Sequence, residues 1–365
     1  MTKIPAVNFG LNESLRYDAE AINQQNEFEP KALKMLVRLI FLLVALSTAN
    51  VFSQAVEKSK ATQAESTKPV RDFVSVTSES PISIGTTLKI QSKIMSGERE
   101  LNIWLPPSYS DRDSTKQFHV LYVIDGGAEQ DFQHISGLSQ LASINGHFHS
   151  MIVVGIKTQN RIDELTSKPK DSRYIRVPAR GGKSEQFMDY ISEEVIPLVE
   201  KRYRTTERRG VLGESLAGLF IAEVFMRRPN MFSDYISVSP SLWWDDRALA
   251  KESAALIAKH DGKSRKLYLT MANEGGTMQS GLDMLMQSIQ DNKPAGLDWQ
   301  YVDRRDEETH STIYHGAAHD ALRKLFGIPA IEYTGQKPWY LIEGGQPEPQ
   351  PTPKDSKTDD SKINQ

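Results

Sequence analysis

A serine on a tight turn is the feature of this sequence best placed to do chemistry. Arg209-Gly210-Val211-Leu212-Gly213-Glu214-Ser215-Leu216-Ala217-Gly218 reads as a short buried strand, a turn with Ser215 at its apex, and the start of a helix. Small residues, Gly213 and Ala217, stand two positions to either side of the serine, and Gly218 follows. A strand that turns sharply into a helix brings its backbone close to itself, where a Cβ would collide. Such a turn holds the hydroxyl clear of the sheet edge at the N-terminus of the next helix, which is the arrangement of a nucleophile elbow. The alternative is a glycine-rich turn with no chemical meaning, and the remaining residues decide between them.

A serine hydroxyl is a weak nucleophile at neutral pH. It needs a base within hydrogen-bond reach, and the base needs a carboxylate to orient it. In α/β-hydrolases the three follow one another along the chain as serine, acid and histidine. Of the eight histidines, His310, His315 and His319 lie in the last loop and helix. His310 sits in Asp306-Glu307-Glu308-Thr309-His310-Ser311-Thr312, a polar loop able to hang a side chain over the elbow, and is the expected base. His315 and His319 are four apart on the following helix and share a face. That spacing can bind a metal but lacks the glutamate of H-E-x-x-H, so solvated histidines are the simpler reading and no metal or cofactor is expected. The expected acid is Glu274, in the turn Asn273-Glu274-Gly275-Gly276 at the C-terminal end of a strand, the edge where ligands collect in α/β sheets. Asp245 and Asp246, beyond the preceding strand, are its rivals.

Stabilising the oxyanion of an acyl-transfer intermediate takes two backbone N–H donors. Leu216, directly after the serine, supplies one. The other is expected from Asp125-Gly126-Gly127 behind Val120-Leu121-Tyr122-Val123-Ile124, with Gly127 as donor, unless the glycines form only a flexible turn. Trp243 and Trp244 follow a strand end and offer an apolar wall for an acyl or aryl group, if they do not pack as core. Arg161, in Gln159-Asn160-Arg161-Ile162-Asp163-Glu164-Leu165, suits either a substrate carboxylate or phosphate, or a structural ion pair.

Eight strand candidates must position these residues: 86–94, 101–105, 119–124, 151–156, 210–212, 235–238, 266–271 and 299–302. The first two form a hairpin around Ser96-Gly97. Helical stretches separate the later ones, at 184–203 with a kink expected at Pro197, and at 216–228, 246–260, 278–290 and 312–326. Strands alternating with helices predict a mostly parallel eight-stranded sheet, led by an antiparallel hairpin and covered by helices on both faces.

Outside this domain, expected over residues 81–343, the chain changes character. Residues 35–55, directly behind Lys34, combine Met35-Leu36-Val37-Arg38, an apolar run over 39–46, and the A-x-A-like Ser53-Gln54-Ala55, in the manner of a secretory signal peptide. The apolar run is too short to span a bilayer well. Met35 is then the expected start, and 1–34 a non-native extension; an uncleaved anchor and a buried helix are the alternatives. Residues 56–80 read as a polar linker and 344–365 as a disordered tail. A periplasmic or secreted protein follows, with no stable membrane insertion once the signal is removed. The formal net charge of -3 gives nucleic acid no general attraction, and the absence of cysteine excludes disulfides, thiolate catalysis and a lipid anchor at cysteine.

From about residue 101 to 326 the chain resembles the putative-esterase family of α/β-hydrolases, which holds esterase-D-like enzymes, enterobactin-type siderophore esterases and mycolyltransferases. The resemblance rests on Val120 to Gly126, on Met151-Ile152-Val153-Val154-Gly155-Ile156 with 161–165 behind it, and on 191–203 with Glu194 and Pro197. It continues through Gly213-Glu214-Ser215-Leu216-Ala217-Gly218, Ser239-Pro240-Ser241-Leu242-Trp243-Trp244 and His310-Ser311. It implies an α/β-hydrolase fold with Ser215 as nucleophile, His310 as base and Glu274 as acid, acting on a small-molecule ester. The chain departs from the family at Ala217, where glycine is usual, and at Glu214, where histidine is frequent. Hydrolysis of a carboxylic ester is the leading expectation. Siderophore trilactone hydrolysis, acyl transfer to an alcohol and a catalytically silent binding module are the alternatives.

Overall fold

A computed structural model of the protein describes residues 75–111, 114–175, 181–329 and 337–346. The expected extension, signal segment, most of the linker and nearly all of the tail lie outside the described residues. The chain divides into two units, Met1–Pro81 and Ile82–Gln365. Everything below concerns the second.

Its strands are β1 (Thr86–Ser92), β2 (Gly97–Trp104), β3 (Phe118–Ile124), β4 (Met151–Ile156), β5 (Thr205–Glu214), β6 (Asp234–Val238), β7 (Arg265–Met271) and β8 (Leu297–Asp303). They form one sheet in the order β1-β2-β4-β3-β5-β6-β7-β8. The β1–β2 hairpin is antiparallel and β2 runs antiparallel to β4; every later pairing is parallel. The helices are α1 (Phe132–Asn145), α2 (Arg161–Leu165), α3 (Ser172–Ile175), α4 (Ser184–Asp189), α5 (Ile196–Arg202), α6 (Leu216–Arg227), α7 (Trp244–Ile257), α8 (Gly276–Asn292) and α9 (Ile313–Phe326). This is the expected mostly parallel, two-faced α/β-hydrolase arrangement.

Strand side chains alternate between faces, and here each face has its own apolar core. Val120, Tyr122 and Ile124 of β3 point into the layer that holds α6, while Leu121 and Val123 point into the one that holds α1 and α9. Helix α6 is buried along almost its whole length, which explains an apolar run with little polar face.

Three differences from the sequence expectations have physical causes. Strands β2 and β5 start earlier than expected, with Gly97-Glu98-Arg99-Glu100 and Thr205-Thr206-Glu207-Arg208-Arg209. Their charged side chains are paired by tertiary partners, as Arg208 is by Asp234 at 2.7 Å, so polar sequence does not end the ladder. The stretch before Pro197 is not a kinked α-helix: a π-helical segment, Tyr190–Val195, joins α4 to α5. Proline has no N–H for the preceding turn, and a widened turn accommodates that loss. Helix α1 carries no expectation from the sequence, because Leu141 and Ile144 are exposed and blur its apolar face.

Candidate active site

The C-terminal ends of the parallel strands converge on Ser215. Strand β5 ends at Glu214 and α6 begins at Leu216, so the serine alone makes the turn, with φ 62° and ψ −117°. A non-glycine residue in this region costs about 1–3 kcal/mol and persists only where its surroundings impose it. Here they do: the Ser215 N–H donates to the Val238 carbonyl at 3.0 Å, and its own carbonyl accepts from Leu219 and Ser241. A Cβ on Gly213 would come within 2.6 Å of the Ala217 methyl, and one on Gly218 within 2.7 Å of the Val238 carbonyl oxygen. Alanine at 217 therefore fits because residue 213 has no side chain. Asp125 behind β3 and Ser239 behind β6 also have positive φ, so strained backbone gathers along this edge of the sheet.

His310 reaches the serine from the loop behind β8. Its Nε2 lies 3.1 Å from Ser215 Oγ and its Nδ1 2.7 Å from Glu274 Oε1. The imidazole is 42% exposed and the glutamate 10%. A neutral histidine in this position donates from Nδ1 to the carboxylate and presents the Nε2 lone pair to the hydroxyl. Such a row can take a proton from the serine as it attacks. Ser241 Oγ also lies 3.3 Å from Ser215 Oγ, a neighbour the sequence did not single out.

The rival acids are occupied elsewhere. Asp245 accepts the backbone N–H groups of Lys170 and Asp171, at 2.9 and 2.8 Å. Asp246 pairs with Lys251 and Arg173. Both belong to a run, Asp245 to Arg247, with positive φ at each residue, which interrupts the start of α7. Of the two helix histidines, His315 faces His134 with ring centres 4.2 Å apart, and His319 faces His147. No cluster of three metal-ligating residues forms among the described residues.

One of the two expected oxyanion donors is engaged elsewhere. Leu216 is the first residue of α6, so its N–H has no acceptor within the helix. The Gly127 N–H is not free: it donates to Gln130 Oε1 at 2.9 Å. The Gln130 amide in turn donates to Thr158, whose hydroxyl donates to Asp125. The glycine loop is thus closed on itself by a side chain three residues on.

Arg161 makes the structural ion pair. Its Nε is 2.6 Å from Asp125 Oδ2 and its Nη2 donates to the Glu214 carbonyl at 3.3 Å, so it braces the elbow from below. Neither tryptophan forms a bare wall. The Trp244 indole donates to the Ser167 carbonyl at 3.0 Å and packs against the core, whereas Trp243 stacks on Tyr174 with ring centres 6.0 Å apart. Tyr174 was not legible as part of this group, because α3 lies some 70 residues from Trp243 and tertiary contacts bring it in, among them the Tyr174 hydroxyl donating to the Trp243 carbonyl at 3.2 Å.

Two carboxyls at this edge of the sheet are shifted toward their protonated forms. Burial, then the nearness of Asp131, pushes Glu214 up to about 8. Burial, then Asp125, pushes Asp131 up to about 7.

The fold and this constellation define an α/β-hydrolase, and comparison with known proteins agrees. Residues 92–320 match the family model described as "Putative esterase", and the chain belongs to that family. It is 30% identical over 192 residues to the uncharacterized protein YbbA of Bacillus subtilis (strain 168), spanning 52% of this chain and 74% of YbbA. It is 29% identical over 96 residues to the ferri-bacillibactin esterase BesA of the same organism, covering 26% of this chain but only 33% of BesA. Among solved structures, an IroE-like serine hydrolase from Shewanella oneidensis superposes with a TM-score of 0.59 at 26% identity, over 66% of this chain and 80% of that one.

Proposed function

We propose that the protein is an exported serine hydrolase that cleaves carboxylic esters through an acyl-enzyme. The single observation that carries this reading is His310, hydrogen-bonded through one ring nitrogen to Glu274 and through the other to Ser215. Ser215 Oγ attacks the ester carbonyl carbon and passes its proton to His310 Nε2. Glu274 orients the imidazole and stabilises the imidazolium. The carbonyl oxygen, now an oxyanion, accepts the Leu216 N–H. The C–O bond to the alcohol breaks as His310 returns the proton to the leaving oxygen. Water then attacks the acyl-enzyme by the same relay in reverse and restores Ser215.

A panel of short-chain, long-chain, aryl and trilactone esters, with and without an added alcohol acceptor, tests this reading and separates hydrolysis from acyl transfer. A folded protein that turns over none of them would favour a silent binding module. Siderophore trilactones are the second reading, supported by the name of BesA.

Gly127 joins Leu216 as an oxyanion donor once Gln130 turns away. The bond to be broken is worth about 0.5–1.5 kcal/mol. Gln130→Ala is therefore expected to raise kcat/KM roughly two- to tenfold. A lower or unchanged value would show that the second donor is another group.

Export rests on the apolar run at 39–46. Expression of the full chain should release a mature protein beginning near Gln54 or Val56, read by N-terminal sequencing. Purely cytosolic, uncleaved protein would refute it. Among the described residues no helix is long and apolar enough to cross a membrane.

A further inference from the structure

Glu214 stands next to the nucleophile, yet the acyl-transfer steps give it no task. Its carboxyl is half-buried, and Oε1 has no hydrogen-bond partner. The titratable and charged groups near enough to act on it come from several elements: Asp125 behind β3, Asp131 at the cap of α1, Glu274 behind β7, Tyr314 on α9 and Arg161 on α2. Arg161 is the cation facing it among the described residues, and it is already bound to Asp125 and to the Glu214 carbonyl. Glu274, nine-tenths buried, spends Oε1 on His310 and leaves Oε2 without a partner. Of the four carboxyls, Asp125 holds the guanidinium and Glu274 the imidazole, so Glu214 and Asp131 have no ion pair of their own among the described residues. Burial, and next the nearness of Asp131, push Glu214 up to about 8. Among the described residues, a bound anion would meet no uncommitted cation beside Glu214.

We propose that Glu214 sets a charge preference at the site: esters with a neutral or cationic acyl group are accepted, and esters with an anionic acyl group are rejected, more strongly once Glu214 has lost its proton. The inference rests on Ser215 as the nucleophile and concerns which esters reach it. Between unit charges several ångströms apart in a protein-like medium, the effect is on the order of ten- to a hundredfold in kcat/KM.

The test uses three 4-nitrophenyl esters of equal chain length, ending in a methyl, a carboxylate or a trimethylammonium group. Ratios of kcat/KM are measured for the wild type and Glu214→Gln between pH 7.5 and 9. That window lies above the titration of Asp131, at about 7, and spans that of Glu214, at about 8. Using ratios cancels any change in the common chemistry. An uncharged organophosphate counts active Ser215 in parallel.

In the wild type the carboxylate-to-methyl ratio is expected to lie below one and to fall roughly fivefold or more across the window, while the ammonium-to-methyl ratio holds or rises. In Glu214→Gln the fall disappears. The wild-type profile stands as a test even if the variant does not fold. A wild-type ratio that is constant with pH, or a fall that persists in a folded Glu214→Gln, overturns the assignment and leaves Ser215 in place. Failure to turn over any of the esters, with no organophosphate labelling, removes the nucleophile itself and the charge preference with it.

Discussion

Ser215→Ala and His310→Ala should each lower kcat by about three to six orders of magnitude, and the double variant should be little worse than either. The reason is that the two groups act in one step. Ser215 Oγ is a competent nucleophile only while His310 Nε2, 3.1 Å away, accepts its proton. Once either is gone, the other has nothing to do, so the losses do not add. Glu274→Gln should cost less, because the carboxylate touches the imidazole and not the substrate. An organophosphate should label Ser215 in the wild type, and His310→Ala should slow that labelling. The fold should survive in all of these variants, since none of the three side chains belongs to either apolar core. If Ser215→Ala keeps full turnover, the hydrolase mechanism is wrong. If His319→Ala is inactive while His310→Ala is not, the base is misassigned.

The largest effect on stability is expected well away from the serine. Arg99 on β2 and Glu164 on α2 form a buried ion pair, 3% and 4% exposed, with both terminal guanidinium nitrogens 2.8 Å from carboxylate oxygens. Further hydrogen bonds hold the pair, though the Arg99 Nε–H finds no partner: Arg99 also donates to Gln159 and to the Lys157 carbonyl, and Glu164 accepts the Gln159 N–H. The guanidinium lies over the rings of Phe187 and Tyr190. Removing one partner strands a charge in a dry interior, which costs about 3–5 kcal/mol. Arg99→Ala or Glu164→Ala should therefore shift the denaturation midpoint strongly. Replacing both with apolar residues of similar volume should recover much of the loss. Single variants within about 1 kcal/mol of wild type would show that the pair is open to water. The pair also matters to the site, because α2 carries Arg161 to Asp125 and the elbow. Loosening α2 should thus lower turnover as well as stability.

Much of this protein is set by short-range pattern. The small residues around Ser215 are readable because backbone crowding in a strand-to-helix turn is a local matter, settled within five residues. The alternation of apolar runs and helical stretches likewise gives the parallel sheet, and the order of serine, Glu274 and His310 follows from which strand ends share an edge. Side-chain partnership is another matter, because it depends on distances between residues far apart in the chain. Nothing in Asp125-Gly126-Gly127 reveals that Gln130 will occupy the Gly127 N–H. Arg161 could be read as a substrate contact or as an ion pair until Asp125 was found 2.6 Å away. Asp245 remained a rival to Glu274 in sequence, and only its clamp on the backbone at 170 and 171 sets it aside. The polar starts of β2 and β5 hid two strand ends, because charged residues can sit in a strand when distant partners neutralise them. Glu214 shows the limit most clearly. Its neighbour Ser215 is given by sequence, but its own protonation is decided by burial and by carboxyls that β3, α1 and β7 bring from 60 to 90 residues away.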